Sequence, residues 1–500
     1  MKILLLYTIA YIIWIYSVFA YEDNYEKVTQ TNVIRNFYLT KRVVRVFLEI
    51  SLRSNNSSNI RDFEYGIFFP TLVYSKVGYI SSGISPLNLN IYTINCEEFN
   101  KTNNKHFSNL SEDIYVCKIN IPELTKNLTT IYIEYYIGDP YKTLPDSIYI
   151  NENQLVEFKD FQYFLTPYKV ENEKTIIHFL LGTQIERFLP TSMKRQDTKL
   201  TYIPKNNTDI QTPESMLYVH FNLNNHLVIY KSVNRTIEVS HWGNVYIKEE
   251  YAGKNQAATH KGEFNRKEIM LLAGQGFARM RNPGSVLPQN THICFQMDHI
   301  LPYRAIGLEY YDKIGNISYS HASKVNSRYT LIQAEPRSPV MGGWNFDYVI
   351  EYNLPLENVV FYDYEKKTYM LNITLTPSAK GIYAENVTTH IRLPPGSSEI
   401  QFLLPKNRNI PSLKKQEDLS YYYGWLDIFK PRPVIIYSAH SMYIPEQHIL
   451  NFKGQVYYQI KSEFLLKYKL FVIPGIIFIS LLLFVLIRRL GNSNRKDKYV

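Results

Sequence analysis

Residues 42–52 read RVVRVFLEISL. In an extended chain Val44, Val46, Leu48, Ile50 and Leu52 fall on one side, and Val43, Arg45, Phe47, Glu49 and Ser51 on the other, which describes a strand buried on one face. The same period of two returns in TIYIEYYI, MLYVHFNL, HLVIYKSV, RTIEVSHW, NVYIKEEY, YVIEYNL, YMLNITLT and VIIYSA. Sustained helical periodicity is scarce. Tyr supplies 43 of the 500 residues, and it and the recurring β-branched residues suit half-buried sheet surfaces. The pattern predicts a mainly β fold, and the length calls for at least two cores. The polar stretch Leu189–Ser215 holds three prolines and reads as a linker or a long surface loop. The strand pair after it closes the first unit, so the boundary is placed near residue 231. The expectation is two β-sandwich-like domains, 21–230 and 231–465, followed by a single C-terminal transmembrane helix.

The ends of the chain set its topology. MKILLLYTIAYIIWIYSVFA, residues 1–20, has one basic residue, Lys2, an apolar run, and Val18 and Ala20 at small-residue cleavage positions, so it reads as a secretory signal peptide. An uncleaved anchor helix is the alternative. From Leu470 to Ile487 the chain carries no charge, enough helix to cross roughly 27 Å of hydrocarbon. Arg488 and Arg489 follow, which places the 488–500 tail in the cytosol by the positive-inside rule. The region before the span then faces a lumen or the exterior. Pro474 and Gly475 sit in the first turns of the span and read as a bend.

The formal charge of +10 raises the question of nucleic acid. The basic residues are scattered among Asp and Glu without a long block, so no nucleic-acid specificity is expected. Anionic lipid beside the tail is the more natural partner. Cys96 and Cys117 lie in NLNIYTINC and DIYVCKINI, two strand-like runs that a hairpin would bring together. A disulfide there closes a loop of about twenty residues and contributes on the order of 3 kcal/mol. Cys294 is left over and reads as a buried thiol. Glycosylation sequons N-x-S/T begin at Asn55, Asn56, Asn100, Asn109, Asn127, Asn206, Asn234, Asn316, Asn372 and Asn386, all on the side expected to be lumenal.

A search for chemistry finds no H-E-x-x-H, C-x-x-C, G-x-S-x-G, P-loop or Rossmann glycine pattern. No D-x-D occurs, and Asp363 and Glu365 in YDYE are the nearest approach. One segment, VSHWGNVYIKEEY at 239–251, invites two readings. His241 could act as a general base oriented by Asn244, yet no nearby Ser, Cys or carboxylate completes such a site. On the structural reading, Trp242 gives its apolar body to a core, and Gly243 and Asn244 make a turn or bulge with positive φ. Gly342 and Gly343 likewise permit a close approach before Trp344 and the strand in GGWNFDYVIEYNLP. Catalytic, cofactor and metal residues are assigned to none, and His241, Trp242, Gly243, Gly342, Gly343, Trp344 and Pro433 are assigned to the fold.

Several segments in order resemble the ribophorin I family, type I membrane subunits of the eukaryotic oligosaccharyltransferase. They are RTIEVSHWGNVYIKEEY with HKGEFNR, LPYRAIGLEYYDKIGNISYSH, PRSPVMGGWNFDYVIEYNLP, IRLPPGSSEI, and LDIFKPRPVIIYSAHSMYIPEQHI ahead of the span. The likeness covers residues 217–490 well; before that, TNVIRNFYLTKRVVRVFLEI looks like the family's opening strand. The chain departs from the family in extra residues between Arg266 and His299 and in DIFKPRPV. The resemblance implies an accessory subunit that does not itself transfer glycan. A separate multi-spanning catalytic subunit would move the oligosaccharide from dolichyl diphosphate to Asn of N-x-S/T. This chain would assist by complex assembly and substrate presentation. Implied partners are the catalytic and other subunits, nascent polypeptides, the protein-translocation channel, the ribosome and the membrane. The implied location is the endoplasmic reticulum membrane with a lumenal N-terminus, and Lys496 and Lys498 resemble a di-lysine retrieval signal. The other readings are a β-sandwich receptor of the secretory pathway or cell surface, and a glycan- or peptide-processing ectoenzyme.

Overall fold

The computed structural model describes residues 27–55, 60–89, 91–99, 113–124, 128–150, 152–204, 216–263, 265, 267, 269, 292–318, 320–405, 409–424, 431–460 and 467–496. The fold is mainly β. Its elements follow the alternation: in Val44–Ser54 the side holding Val44, Val46, Leu48, Ile50 and Leu52 is buried, and Arg45, Phe47 and Glu49 are half-buried. Two runs read separately, HLVIYKSV and RTIEVSHW, merge into one 13-residue strand, Val228–Ser240, bulged between Tyr230 and Ser232. The stretch Leu189–Ser215 departs from the expected linker, because Lys194–Gln196 and Lys199–Tyr202 are strands of the first large sheet. Its buried Leu200 and Tyr202 are worth more in a core than in a solvated connection. Residues 205–215 lie outside the described set. NLNIYTINC is a strand only from Ile94 onward.

The sheets come in two sets with the same connectivity. The first large sheet runs Lys194–Gln196, Lys199–Tyr202, Glu173–His178, Val28–Tyr38, Val44–Ser54, Thr129–Ile137, Val77–Gly83, and Lys169–Val170 joins Val28–Tyr38. The second runs Lys414–Lys415, Arg432–Met442, Ala384–Arg392, Val228–Ser240, Asn244–Asn255, Asn345–Pro355, Ile306–Tyr311, and Ser420–Tyr422 joins Arg432–Met442. In both, an opening hairpin lies at the centre, its first strand has a parallel neighbour on the outer side, and all other pairs along the path are antiparallel. The smaller sheets match too. Ile60–Pro70, Ile114–Leu124 and Ile94–Phe99 have the order of Met297–Pro302, Tyr329–Ala334 and His321–Val325. The four-stranded sheets, built around Met216–Asn222 and Lys453–Ile460, correspond in the same way.

The correspondence reaches individual residues. Arg35 and Arg235 are each the eighth residue of the first hairpin strand and each is buried. Each faces a Thr on the parallel neighbour, Thr175 or Thr389, and that Thr faces a Tyr on the next strand, Tyr202 or Tyr437. A guanidinium in a sheet core needs a counter-charge. Arg35 finds Glu173 at 3.1 Å, and Arg235 finds Glu249 at 2.9 Å, with both partners nearly inaccessible to solvent.

Buried apolar residues form two large clusters, one from Val28 to Leu227 with Ala257, the other from Val228 to Tyr458 with Val43, Tyr79 and Tyr136. The seam between them is made by close backbone approach. A side chain at Gly78 would meet the Tyr443 backbone nitrogen at 2.6 Å, and one at Gly138 would meet the Tyr383 ring at 2.0 Å. Asn409 donates to the Tyr79 hydroxyl at 2.9 Å, the Tyr136 and Tyr443 rings lie 4.9 Å apart, and Ser147–Ile148 pairs in parallel with Thr259–His260.

The helix Lys467–Lys496 follows the last strand. Its side chains are described from Pro474 to Arg488, and every large apolar one from Ile476 to Ile487 is exposed. Among the described residues no helix is long and apolar enough to cross a membrane.

Removing one member of a buried pair leaves a charge without compensation. Glu249→Gln should lower stability by about 3–5 kcal/mol, and Arg235→Met by a comparable amount, because each leaves the partner charge uncompensated. Thermal unfolding of the full chain in detergent, followed by tryptophan fluorescence, checks both.

Candidate functional site

The hairpin Val228–Ser240/Asn244–Asn255 carries the HWGN segment at its tip. Gly243 has φ +128°, a left-handed value that favours glycine, and nothing lies within 4 Å of where its side chain would be. Its carbonyl accepts from Leu356 N at 3.0 Å. His241 points inward: Nε2 lies 2.9 Å from the Tyr458 hydroxyl, the ring stands edge-on to Tyr369 at 4.6 Å, and burial lowers its pKa. Trp242 is a correction to the sequence reading, because it is 64% exposed instead of packed in a core. At a three-residue tip the position points away from the sheet, so most of the ring faces solvent. Asn244 keeps an ordinary negative φ and donates to Asn353 Oδ1 at 2.7 Å, not to His241. HWGN is therefore not assembled as an acid–base pair.

At the other end of the same strands, Gly342 is where a side chain would strike the Ala258 carbonyl at 1.9 Å, and Gly343 has φ +82°. Trp344 is 45% exposed, so it too stands outside the core. Pro433 is buried in Arg432–Met442, where its carbonyl still accepts from Leu393 N at 2.9 Å. Cys96 and Cys117 face each other in antiparallel strands and are joined by a disulfide. Asn234, Asn316 and Asn386 are exposed, Asn55 is exposed at a strand end, and Asn372 is half-buried. Asn56, Asn100, Asn109, Asn127, Asn206, Lys498 and the 1–20 segment lie outside the described residues. Lys496 ends the helix, with its side chain undescribed.

A Ser, His and Glu do meet in the second core. Ser378 donates to Glu249 Oε2 at 2.5 Å, so its oxygen is left to accept from His299 Nδ1 at 3.0 Å, and His299 Nε2 accepts from the Tyr348 hydroxyl at 2.9 Å. Tyr251 also donates to Glu249, and Tyr230 lies against Tyr348. In a hydrolase the His stands between nucleophile and acid. Here Ser378 stands between His299 and Glu249, and all three are buried. The cluster ties four strands and the Ser378 loop together and presents no nucleophile to solvent. Burial pushes the Cys294 thiol up to about 11, which keeps it protonated. Asp363 in YDYE accepts from the backbone N–H groups of Glu365 and Lys366, as a turn-former does. Among the described residues no three His, Cys, Asp or Glu groups are placed to hold a metal.

A cleft of about 1150 Å³ opens at the seam. One wall comes from the first half through Tyr38, Lys41, Arg45, Glu134 and Tyr136, the other from the second through Tyr303, Arg304, Arg328, Tyr329, Lys380, Tyr443, Glu446 and Lys453, with Asn372 among them. Six cations thus meet two carboxylates. Glu134 is held by Arg45 at 2.5 Å and by the Tyr136 hydroxyl at 2.6 Å, and Glu446 by Lys41 at 3.4 Å and Lys380 at 3.7 Å. The carboxylates are committed, and the excess charge is positive. Five Tyr rings with amphipathic faces and a positive excess suit an extended acidic or polar chain better than a small apolar ligand. Sequence reasoning did not find this cleft, because its walls come from segments 400 residues apart. The signal that existed was Arg35, Arg235 and Glu249 in the apolar phase of their strands, which marks the buried pairs and not the cleft.

His299 gives a pH prediction. Burial pushes its pKa down to about 3, against about 6.5 unfolded. The unfolded chain therefore binds the extra proton between those values, and stability falls as pH drops below about 6.5, by at most about 1.4 kcal/mol per pH unit for this group. His292, lowered to about 4 by burial and by His260 beside it, acts in the same direction. Unfolding midpoints from pH 7 to 4 should fall less steeply in His299→Asn than in the wild-type chain.

Dolichyl-diphosphooligosaccharide–protein glycosyltransferase subunit 1B of Oryza sativa is 28% identical over 73% of this chain and 71% of its own length. Subunit 1A of Arabidopsis thaliana is 27% identical over 91% and 69%, and subunit 1 of Caenorhabditis elegans 28% identical over 58% and 47%. A solved yeast LTA4 hydrolase overlays with a TM-score of 0.22 at 12% identity, over 43% of this chain and 32% of that one, too weak a likeness to carry any inference. The family model for Ribophorin I matches residues 28–488. The chain belongs to the ribophorin I family.

Proposed function

We propose that this chain is a non-catalytic accessory subunit of an oligosaccharyltransferase complex in the endoplasmic reticulum membrane. It supports en bloc transfer of oligosaccharide from dolichyl diphosphate to Asn of N-x-S/T by holding acceptor segments in the seam cleft. The family match over 28–488, together with relatives named as subunit 1 of that glycosyltransferase, is the observation that carries the reading. The cleft supports it, offering Tyr faces and cations for an extended chain and no arranged nucleophile beside them. Tethering raises the local concentration of acceptor and lengthens its residence without altering the chemical barrier.

In this reading residues 1–20 are a cleaved signal, the two sets of sheets are lumenal β-sandwich domains meeting near residue 230, Leu470–Ile487 spans the bilayer once, and 488–500 is a basic cytosolic tail with Lys496 and Lys498 as a retrieval signal. The apolar, outward-facing side chains from Ile476 to Ile487 support the span. Partners are the catalytic and other subunits, nascent polypeptides, and the translocation channel and ribosome that deliver them. Asn234, Asn316 and Asn386, with exposed side chains, are the sequons proposed to carry glycans. At Asn372 a glycan would fill the cleft.

The test is capture of the full chain from membranes in mild detergent and identification of stoichiometric partners by mass spectrometry. The expected result is recovery with a multi-spanning oligosaccharyltransferase catalytic subunit. Recovery alone, or with plasma-membrane proteins and Golgi-matured glycans, would overturn the reading in favour of a receptor.

A further inference from the structure

We propose that the tip of the second hairpin, with the neighbouring Tyr362–Lys367 turn, rests on the lipid headgroup layer, and that Trp242 lies in the bilayer interface. The proposal rests on the reading of Leu470–Ile487 as a membrane span. Its first support is where the chain leaves the sheet. Tyr458, two residues before the end of the last strand, pairs with Tyr369 and contacts His241 at 2.9 Å. Seven residue steps separate Ile460, the end of that strand, from Lys467, the start of the helix, and seven extended residues reach at most about 25 Å. The hairpin tip is thus tied to the end of the molecule from which the helix departs.

The second support is what that end displays. Trp242 is 64% exposed, Tyr364 84% and Phe361 46%. They continue inward through Tyr362, 5.0 Å from Tyr364 and 4.7 Å from Tyr369. A large apolar ring with a polar edge is costly to leave in water and partitions to the membrane–water boundary. Asp363 and Glu365 are balanced by Lys366 and Lys367 in the same turn, so net charge contributes little and the rings supply the attraction.

The third support comes from the repeat. The equivalent tip of the first half, residues 39–43, is covered by the second half of the chain and the segment leading into it: Thr40 accepts from Asn225 at 2.9 Å, Lys41 pairs with Glu446, and Val43 is buried in the second core. The same end of the second half is succeeded by the helix, so the surface it meets is the one the helix enters.

Depth-dependent quenching tests this. The full chain, with Trp14 and Trp425 replaced by Phe, is placed in nanodiscs of phosphatidylcholine brominated near the headgroup end of its acyl chains. W344F then leaves Trp242 as the reporter, and W242F leaves Trp344. Trp344 is an internal control, since it precedes Asn345–Pro355, whose far end pairs beside the tip at Asn244, about 35 Å away along the strand. Trp242 emission is expected to fall by about half relative to unbrominated discs, as for an interfacial ring, with Trp344 unchanged. Equal, negligible quenching of both, while the tail remains protease-accessible from the opposite face, would overturn the proposal and leave the span standing. Trp242 unquenched in discs but shielded from iodide only in the assembled complex would also overturn it, in favour of a protein neighbour. A chain released from the disc by alkaline carbonate would instead defeat the span reading.

Discussion

The second half of the molecule is organised around a guanidinium that has no access to water. Arg235 sits in the core phase of the central hairpin, and everything it needs must come from neighbouring strands: Glu249 across the hairpin, and the Thr374 carbonyl and hydroxyl from the smaller sheet. Its Nε–Oε1 approach to Glu249 is 2.9 Å without hydrogen-bond alignment, so these two atoms are held by charge, while the hydrogen bonds run from the Arg235 Nη atoms and to Glu249 Oε2. Glu249 in turn accepts hydrogen bonds from Tyr251 and Ser378, and Ser378 connects through His299 to Tyr348 and Tyr230. Low local dielectric makes each of these bonds strong and each omission costly. A register slip by one residue would turn the whole set to the opposite face. The network therefore fixes which strand lies beside which, and with that the directions of the tip and of the seam.

The first half repeats the device with a different counter-ion. Arg35 uses Glu173 from the parallel neighbour instead of a carboxylate across the hairpin, and burial pushes the Glu173 carboxyl up despite the Arg35 charge. The Arg–Thr–Tyr row is common to both halves, as is the main strand order of the large, three-stranded and four-stranded sheets. Two copies of one architecture, placed head to tail, generate a seam between unlike surfaces, and the cleft arises from it. Gly78 and Gly138 let the backbones approach where any side chain would wedge them apart. The cleft walls are thus held by packing on both sides.

Much of the fold was legible because period-two alternation is a direct record of burial. Val44 to Leu52 and Val245 to Tyr251 are buried in the phase the alternation predicts. The duplication was not legible, because it is conserved in strand order and in a few buried polar residues, while the intervening side chains differ. Trp242 was misread because residue type alone favours burial for Trp, and only the hairpin register places position 242 at the tip, pointing away from the sheet. Leu189–Ser215 was misread because its prolines and polar residues outweighed the two apolar positions, Leu200 and Tyr202, that fasten it to the sheet. The cleft depends on Tyr136 and Tyr443 becoming neighbours, and nothing local encodes that contact.

The central claim is that acceptor polypeptide lies in the seam cleft. The direct measurement is site-specific photo-crosslinking in endoplasmic reticulum membranes translating a ribosome-bound N-x-S/T acceptor. A photoreactive residue would replace Tyr303 or Tyr329 in the cleft wall, or Tyr246 on the polar face of the second large sheet. The account predicts adducts between the acceptor and the two cleft positions and none from Tyr246. Equal crosslinking from all three positions, or none from the cleft while the complex remains assembled, would contradict it.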